Sequence, residues 1–372
     1  MTAKINFAKG NETFYTTLNK RVSDYFRSNG ISPTANIHMF IKTLFMLTLF
    51  VAPYIFSLIY GGASIWLYLL FSFVMGLGMA GIGLSIMHDA NHGAYSTKKW
   101  VNRLFGYSLN MIGGHVLNWK IQHNVLHHTY TNIFDMDEDI SPRGPLRMAP
   151  SSPWMPAHRF QYLYAWFLYT LMTLVWICAK DFSRLIRYQS TGLVNTKKTN
   201  LYLEWTVLIV TKIVYLGYAL WLPTILLPFA FWQILIGFLV MHAVAGFILA
   251  IIFQPAHVCE GTEYFMPDAE GGIENNWAIH QLHTTTNFAN KNLVLSWYVG
   301  GLNYQVEHHL FPNICHIHYR KLSSIVKNTA AEFGVPYKEK ETFWDALKAH
   351  GNLLKALGDP NFGLTPAPIA SH

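Results

Sequence analysis

The sequence predicts an all-α integral membrane protein: two transmembrane helical hairpins, four spans in all, with a cytoplasmic helical cap. Three observations carry that expectation. Only 13% of the 372 residues are charged while 52% are apolar, against about 25% charged in an ordinary soluble domain. Four apolar runs each reach the roughly 20 residues needed to cross about 30 Å of hydrocarbon. Histidine, at 18 residues, is over-supplied and clustered beside those runs.

The runs are about 39–60 (MFIKTLFMLTLFVAPYIFSLIY), 64–87, 205–227 and 229–253. Gly61, Gly62 and Ala63 separate the first two and Pro228 the last two, so each pair reads as a tight hairpin with an uncharged tip. A fifth run, 161–179 (QYLYAWFLYTLMTLVWICA), is ambiguous by length. The segment after it carries Lys180, Arg184, Arg187, Lys197 and Lys198, and positive loops stay inside. Residues 1–38 are also basic, so the chain is expected to start in the cytoplasm and return there after each hairpin. On that topology 161–179 is an interfacial or re-entrant helix. The division expected is a cytoplasmic N-terminal segment (1–38), a membrane domain (39–330) and a C-terminal cytoplasmic tail (331–372).

The net charge of +7 does not imply nucleic acid. The basic residues lie in loops beside apolar runs, where an anionic membrane face accounts for them. Cys178, Cys259 and Cys315 form no CxxC pair, so neither a disulfide framework nor a zinc–thiolate motif is expected. The N-terminus lacks the apolar core of a signal peptide.

The histidines fall in four clusters, two of them at the ends of the second and fourth runs. In "HDANH", His88 and His92 are four apart and share a helix face. In "WKIQHNVLHHTYTN", His123 and His127 have the same spacing, with His128 rotated by about 100° and able to serve a neighbouring ion. "QVEHH" supplies Gln305, His308 and His309, and His257 follows the fourth run in "FQPAHVCE". One ion rarely takes more than about four or five protein nitrogens, so eight imidazoles imply two ions. Thiolates, a repeated ExxH and an HExxH are all missing. By ligand softness alone iron, copper and zinc remain. His242, inside the fourth run, reads as a satisfied buried histidine, and His316 and His318 as packing or hydrogen-bonding residues. His280 and His283 stand between bracing the site and plain polar packing. His38, His115, His158, His350 and His372 carry no assignment.

Together the boxes "HDANH", "HNVLHH" and "QVEHH", continued in "GGLNYQVEHHLFPNICHIHY", resemble the membrane-bound fatty acid desaturase family over roughly 40–325. The glutamine opening the third box is similar to front-end desaturases, which place a double bond between an existing one and the carboxyl end. The resemblance implies a pair of irons bound by His88, His92, His123, His127, His128, His308 and His309. His257 matches the family's extra histidine, and Gln305 stands where acyl-CoA relatives have a histidine. It further implies O2 as co-substrate and an acyl-CoA or acyl-lipid substrate. No HPGG haem motif is present, and 38 residues precede the first run, so electrons are expected from a separate cytochrome b5-like or ferredoxin-like donor. Near the boxes, Asp89, Asp137, Glu138, Asp139 and Glu307 are candidates to orient the ligands; the "DMDED" run reads equally as a solvated acidic loop. Gly76, Gly78, Gly81 and Gly83 suit either an acyl tunnel or helix packing. Arg143, Arg147 and Arg159 suit a phosphate or a headgroup anchor.

Other readings compete. A hydroxylase or sphingoid-base desaturase uses the same boxes. A membrane electron carrier needs histidines paired inside the bilayer, where only His242 lies. A metal transporter needs ligands along a path, not at span ends on one face.

Overall fold

A computed structural model describes residues 5–8, 12–140, 144–194 and 197–363. Four helices are long and apolar enough to cross a membrane: Ile37–Ala63, Ile65–His92, Leu201–Leu226 and Phe231–His257. The second and fourth run past their apolar stretches, so their final turns carry His88, His92 and His257. Asn36 starts the first by accepting from the backbone of His38 at 2.9 Å, and Ser64 starts the second by accepting from Trp66 at 3.2 Å. Such caps satisfy donors that a helix leaves unpaired at its start.

The first two helices run antiparallel: Met46 lies beside Gly81, Phe50 beside Gly78, and the Phe56 ring 6.3 Å from Phe71. The second and fourth run parallel, with Tyr68 beside Gly237 and Gly76 beside Val244. The second helix is therefore packed from both sides, and its glycines make that possible. A Cβ at Gly76 would stand 2.7 Å from the Met241 carbonyl oxygen, and one at Gly78 2.6 Å from the Phe50 nitrogen. Gly76, Gly78 and Gly81 are thus helix-packing residues and not tunnel lining; Gly83 alone of the four reaches a cavity. The outward faces stay apolar, with Trp66 76% and Ile225 75% exposed. A bilayer is what covers such faces.

The 161–179 run is not one straight helix. Pro156–Thr170 and Met172–Ser190 meet at an angle of 61°. The break sits on Gly246 of the fourth span, where a Cβ would lie 2.9 Å from the carbonyl oxygens of Tyr169 and Thr170. Thr173, just past it, donates to the His242 carbonyl at 2.9 Å.

Neither terminal segment stands apart. Helix Glu12–Asn29 buries Phe14, Leu18, Val22 and Phe26 against Leu322, Val326 and Ala330 of Tyr319–Glu332, and Arg21 pairs with Glu332 at 2.7 Å. The expected C-terminal tail is folded through residue 363. Glu339–Lys340 pairs in parallel with Asn287–Phe288, and helix Phe343–Leu357 buries Ala346, Ala349, Leu353, Leu354 and Leu357. At its start Thr342 and Asp345 cap each other's backbone. His372 and Arg143 lie outside the described residues.

Candidate metal centre

All eight histidines singled out in the sequence converge, from four places in the chain. His88 and His92 come from the second span, His257 ends the fourth, His123, His127 and His128 come from a short helix between them, and His308 and His309 from helix Gln305–Leu310. The loop before that last helix reaches the second span through Gly300, whose φ is +63° and whose Cβ would stand 2.3 Å from the Leu84 carbonyl oxygen. Only glycine fits both demands.

The donor nitrogens of His88, His92, His123 and His308 lie within 4.8 Å of one another, and those of His127, His257 and His309 form a second such group. His128 stands between the groups. Its Nε2 is 3.2 Å from His123 Nε2 and 3.0 Å from His308 Nε2, and its ring stacks on His309 at 4.4 Å. Within "HNVLHH", His123 faces His127 as the spacing predicts, their rings stacked at 5.4 Å, and it meets His128 as well. Residues 120–127 form a π-helix, in which His128 donates its backbone N–H to the His123 carbonyl. The wider turn brings residues five apart near one another as well as those four apart. His123 and His128 accordingly come together, and His127 turns to His257 and His309, with ring centroids at 4.6 and 4.9 Å.

Hydrogen bonds on the far nitrogens fix the rings. His127 Nδ1 lies 3.0 Å from Asp137, His309 Nδ1 2.8 Å from the Gln281 amide oxygen, His308 Nδ1 3.2 Å from the Tyr319 hydroxyl, and His257 Nδ1 3.3 Å from the Thr284 carbonyl. The acceptors Asp137, Gln281 and Thr284 take the Nδ1–H and direct Nε2 inward, while the Tyr319 hydroxyl can accept or donate. The buried Nε2 atoms of His92, His257 and His309 have no hydrogen-bond partner among the described residues. Three further Nε2 pairs, 3.0 to 3.2 Å apart, bring donors of one kind together. Buried unpaired polar atoms are costly, and a pair of cations satisfies this set; the residues fit such ions. Burial pushes His123, His128, His308 and His309 well below the ordinary imidazole range, which keeps them neutral. Burial pulls His127 the same way, but Asp137 outweighs it and raises His127 to about 8.

The neighbouring acids divide. Asp137 and Asp139 both face His127, the latter at 3.5 Å. Glu138 turns away, accepting from Tyr188 at 2.6 Å and pairing with Arg184 and Arg187. The "DMDED" run is therefore a brace built on buried Asp137 and Glu138, with Asp135 exposed. Asp89 accepts from His316 at 2.8 Å, whose other nitrogen is 2.7 Å from Lys42. Glu307 is pushed up to about 7 by burial, although Asn287 and Tyr337 hydrogen-bond to it.

Other expectations resolve differently. Gln305 is buried against His257, and its amide nitrogen has no partner among the described residues. His280 bonds the Thr131 carbonyl at 2.7 Å and His283 pairs with Glu263 at 2.7 Å, so both brace the surroundings. His242 is satisfied by Tyr215 at 2.7 Å and Thr173 at 3.0 Å. Arg147 is no phosphate contact. Its buried guanidinium donates to the carbonyls of Ser152, Leu357 and Asp359, pinning the end of the C-terminal helix. Arg159 is exposed over the Trp154 ring. Gln281, Tyr319 and Lys42 carried no assignment from sequence; a lone lysine in "MFIKTLF" is the one signal that was available, since a charge within a span needs a partner.

A cavity of about 110 Å³ opens against His123, His127 and His257. Met79, Leu109, Ile112, Ile177, Leu249 and Phe253 give it apolar walls, and Gln122, Asp139 and Lys180 a polar corner. An imidazole cage at the ends of membrane-length helices, open to an apolar cavity, is the arrangement of an enzyme that works on a hydrocarbon chain.

Comparison with known proteins agrees. Residues 63–341 match the family described as Fatty acid desaturase. The chain is 37% identical over 356 residues to the sn-1 linoleoyl-lipid 6-desaturase of Arthrospira platensis, covering 96% of this chain and 95% of that protein. The protein of the same name from Synechocystis sp. is 38% identical over 348 residues, 93% of this chain and 95% of that one. The Acyl-lipid (8-3)-desaturase of Physcomitrium patens is 36% identical over 357 residues, 95% of this chain and 73% of that protein. The chain belongs to the fatty acid desaturase family and is an oxidoreductase of fatty acyl chains.

Proposed function

We propose that this protein is an O2-dependent front-end desaturase of lipid-linked acyl chains, with two irons held by His88, His92, His123, His127, His128, His257, His308 and His309. The observation that carries the reading is the cage itself: four of its rings are anchored outward through Nδ1, while the Nε2 atoms of His92, His257 and His309 have no partner among the described residues. Acyl-lipid substrates and a double bond near the carboxyl end are supported by the names of the relatives and by the glutamine of "QVEHH". The four long helices form two transmembrane hairpins in this account, with the cage on the cytoplasmic face beneath a helical cap.

When bound, the irons supply the oxidising power that no side chain has. In sum two C–H bonds break and a C=C bond forms. O2 takes two electrons and two protons from the chain, two electrons from a separate cytochrome b5-like or ferredoxin-like donor and two protons from solvent, leaving as two waters. The protein's part is positioning. Asp137, Gln281 and the Thr284 carbonyl hold three imidazoles in the tautomer that presents Nε2, and Tyr319 anchors a fourth. The apolar walls from Met79 to Phe253 exclude water and align the chain with His123, His127 and His257. Gln305, a weak donor beside His257, leaves the three-imidazole group with room for a ligand that is not protein.

The test is gas chromatography–mass spectrometry of fatty acids from a host fed oleate and linoleate, with His309→Ala as control. A new olefin between the existing double bond and the carboxyl end, absent from the variant, is expected. A hydroxylated product, or an olefin on the methyl side, would contradict the proposal.

A further inference from the structure

The polar corner of the cavity holds a cation, Lys180, whose nearest charge partner is Asp139 but which has no acid within 4.0 Å among the described residues. Lys180 Nζ lies 5.1 Å from the Trp176 ring centroid, and among the described residues it makes no hydrogen bond or ion pair. The other cations near it are committed. Lys212 pairs with Asp181 at 2.6 Å, and Arg184 and Arg187 with Glu138. Asp139, the acid sharing the corner, is also engaged, accepting from Gln122 at 2.6 Å and facing His127 at 3.5 Å. Trp176 is itself tethered by its indole N–H to Asp181 at 2.9 Å. An ammonium held over a tethered aromatic face is a positioned donor.

Its position within the cavity has a consequence. Gln122 precedes the cage residue His123, and Asp139 touches the cage residue His127, so the polar corner adjoins the cage; the rest of the wall is apolar. A carbonyl oxygen of an acyl substrate would find its donor there. On the acyl desaturase reading, we propose that Lys180 donates a hydrogen bond to the carbonyl oxygen of the substrate's ester or thioester, fixing the carboxyl end beside the cage and so setting the double-bond position. Lys180 is then a specificity-determining residue, and counting starts from the carboxyl end because the anchor lies at that end.

The experiment compares the full-length protein with Lys180→Met and Lys180→Arg in a host fed linoleate. Double-bond position is read by mass spectrometry in the polar-lipid and acyl-CoA fractions separately, and iron per chain is measured on each purified protein. Lys180→Met should keep its iron, lose about tenfold or more of its product, as expected for a charge-assisted hydrogen bond, and spread the remainder over neighbouring positions. Lys180→Arg should restore one position. The fraction in which product first appears tells ester from thioester. An unchanged isomer at undiminished yield in Lys180→Met would overturn the assignment, as would loss of iron, which would make Lys180 structural, or a lysine that serves only to reach the headgroups. If the unaltered protein itself places the bond on the methyl side, the front-end reading fails, whatever the variants do.

Discussion

At the scale of single residues, the centre is governed by what holds each ring. Asp137 reaches His127 with both oxygens, at 3.0 and 3.1 Å, and also accepts from the backbone of Asn132 at 3.0 Å. Asp137→Asn keeps the shape but offers an N–H where His127 needs an acceptor. Iron retention under chelator challenge should fall by about 10–100-fold, the usual effect of removing a carboxylate behind a metal-binding histidine; undiminished retention would show that Asp137 does not orient the ring. Gln305→His adds a fourth strong donor beside His257. This variant should keep both irons yet lose about tenfold or more in turnover, because a ring crowds a buried pocket that is packed around an amide beside His257. Equal turnover in iron-loaded Gln305→His would remove Gln305 from the account. The eight histidines were legible in the sequence because imidazoles gathered at span ends, with no acid or thiol motif among them, point to metal. Their supports were not. Gln281, Tyr319 and the Thr284 carbonyl are ordinary residues in sequence, given their role only when helices Trp277–Thr284 and Tyr319–Glu332 pack beside the cage.

Among elements, the π-helix Lys120–His127 shows where reading by period fails. An i, i+4 rule assigns His123 and His127 to one face, where their rings do stack at 5.4 Å, but it misses that the i→i+5 hydrogen bond from His128 brings His128 onto His123 as well. Nothing in composition announces a π turn; tertiary packing selects it. Gly300 is the second device at this scale, since it lets the loop before "QVEHH" lie on the carbonyl of Leu84. Gly300→Ala meets a left-handed φ that costs about 1–2 kcal/mol and a backbone clash of about 1–3 kcal/mol. The variant should melt several degrees lower and bind less iron, because His308 and His309 lose their seat; an unchanged melting temperature and iron content would contradict this. The four spans were legible from length and apolarity alone. The break at Leu171 was not, because its cause, Gly246, lies far along the chain.

For the whole molecule, the terminal segments pack into the cores beside the long helices. Residues 331–363 read as a tail because they follow the last box and carry charge. The buried stripe of Leu353, Leu354 and Leu357 and the bond of His350 to Tyr169 at 2.7 Å make them part of the core. Three buried leucines at about 1.5–3 kcal/mol each are a large share of a stability of about 5–15 kcal/mol. A chain ended after Glu341 should therefore fail to accumulate in folded, iron-bearing form, as read by size-exclusion profile and metal content; a monodisperse, iron-loaded product would show that helix to be dispensable. The central claim is that one chain's eight imidazoles hold two irons, and metal analysis of the purified protein by plasma mass spectrometry tests it most directly. The account predicts two irons per chain, falling sharply in His309→Ala; a single ion, zinc in place of iron, or haem would contradict it.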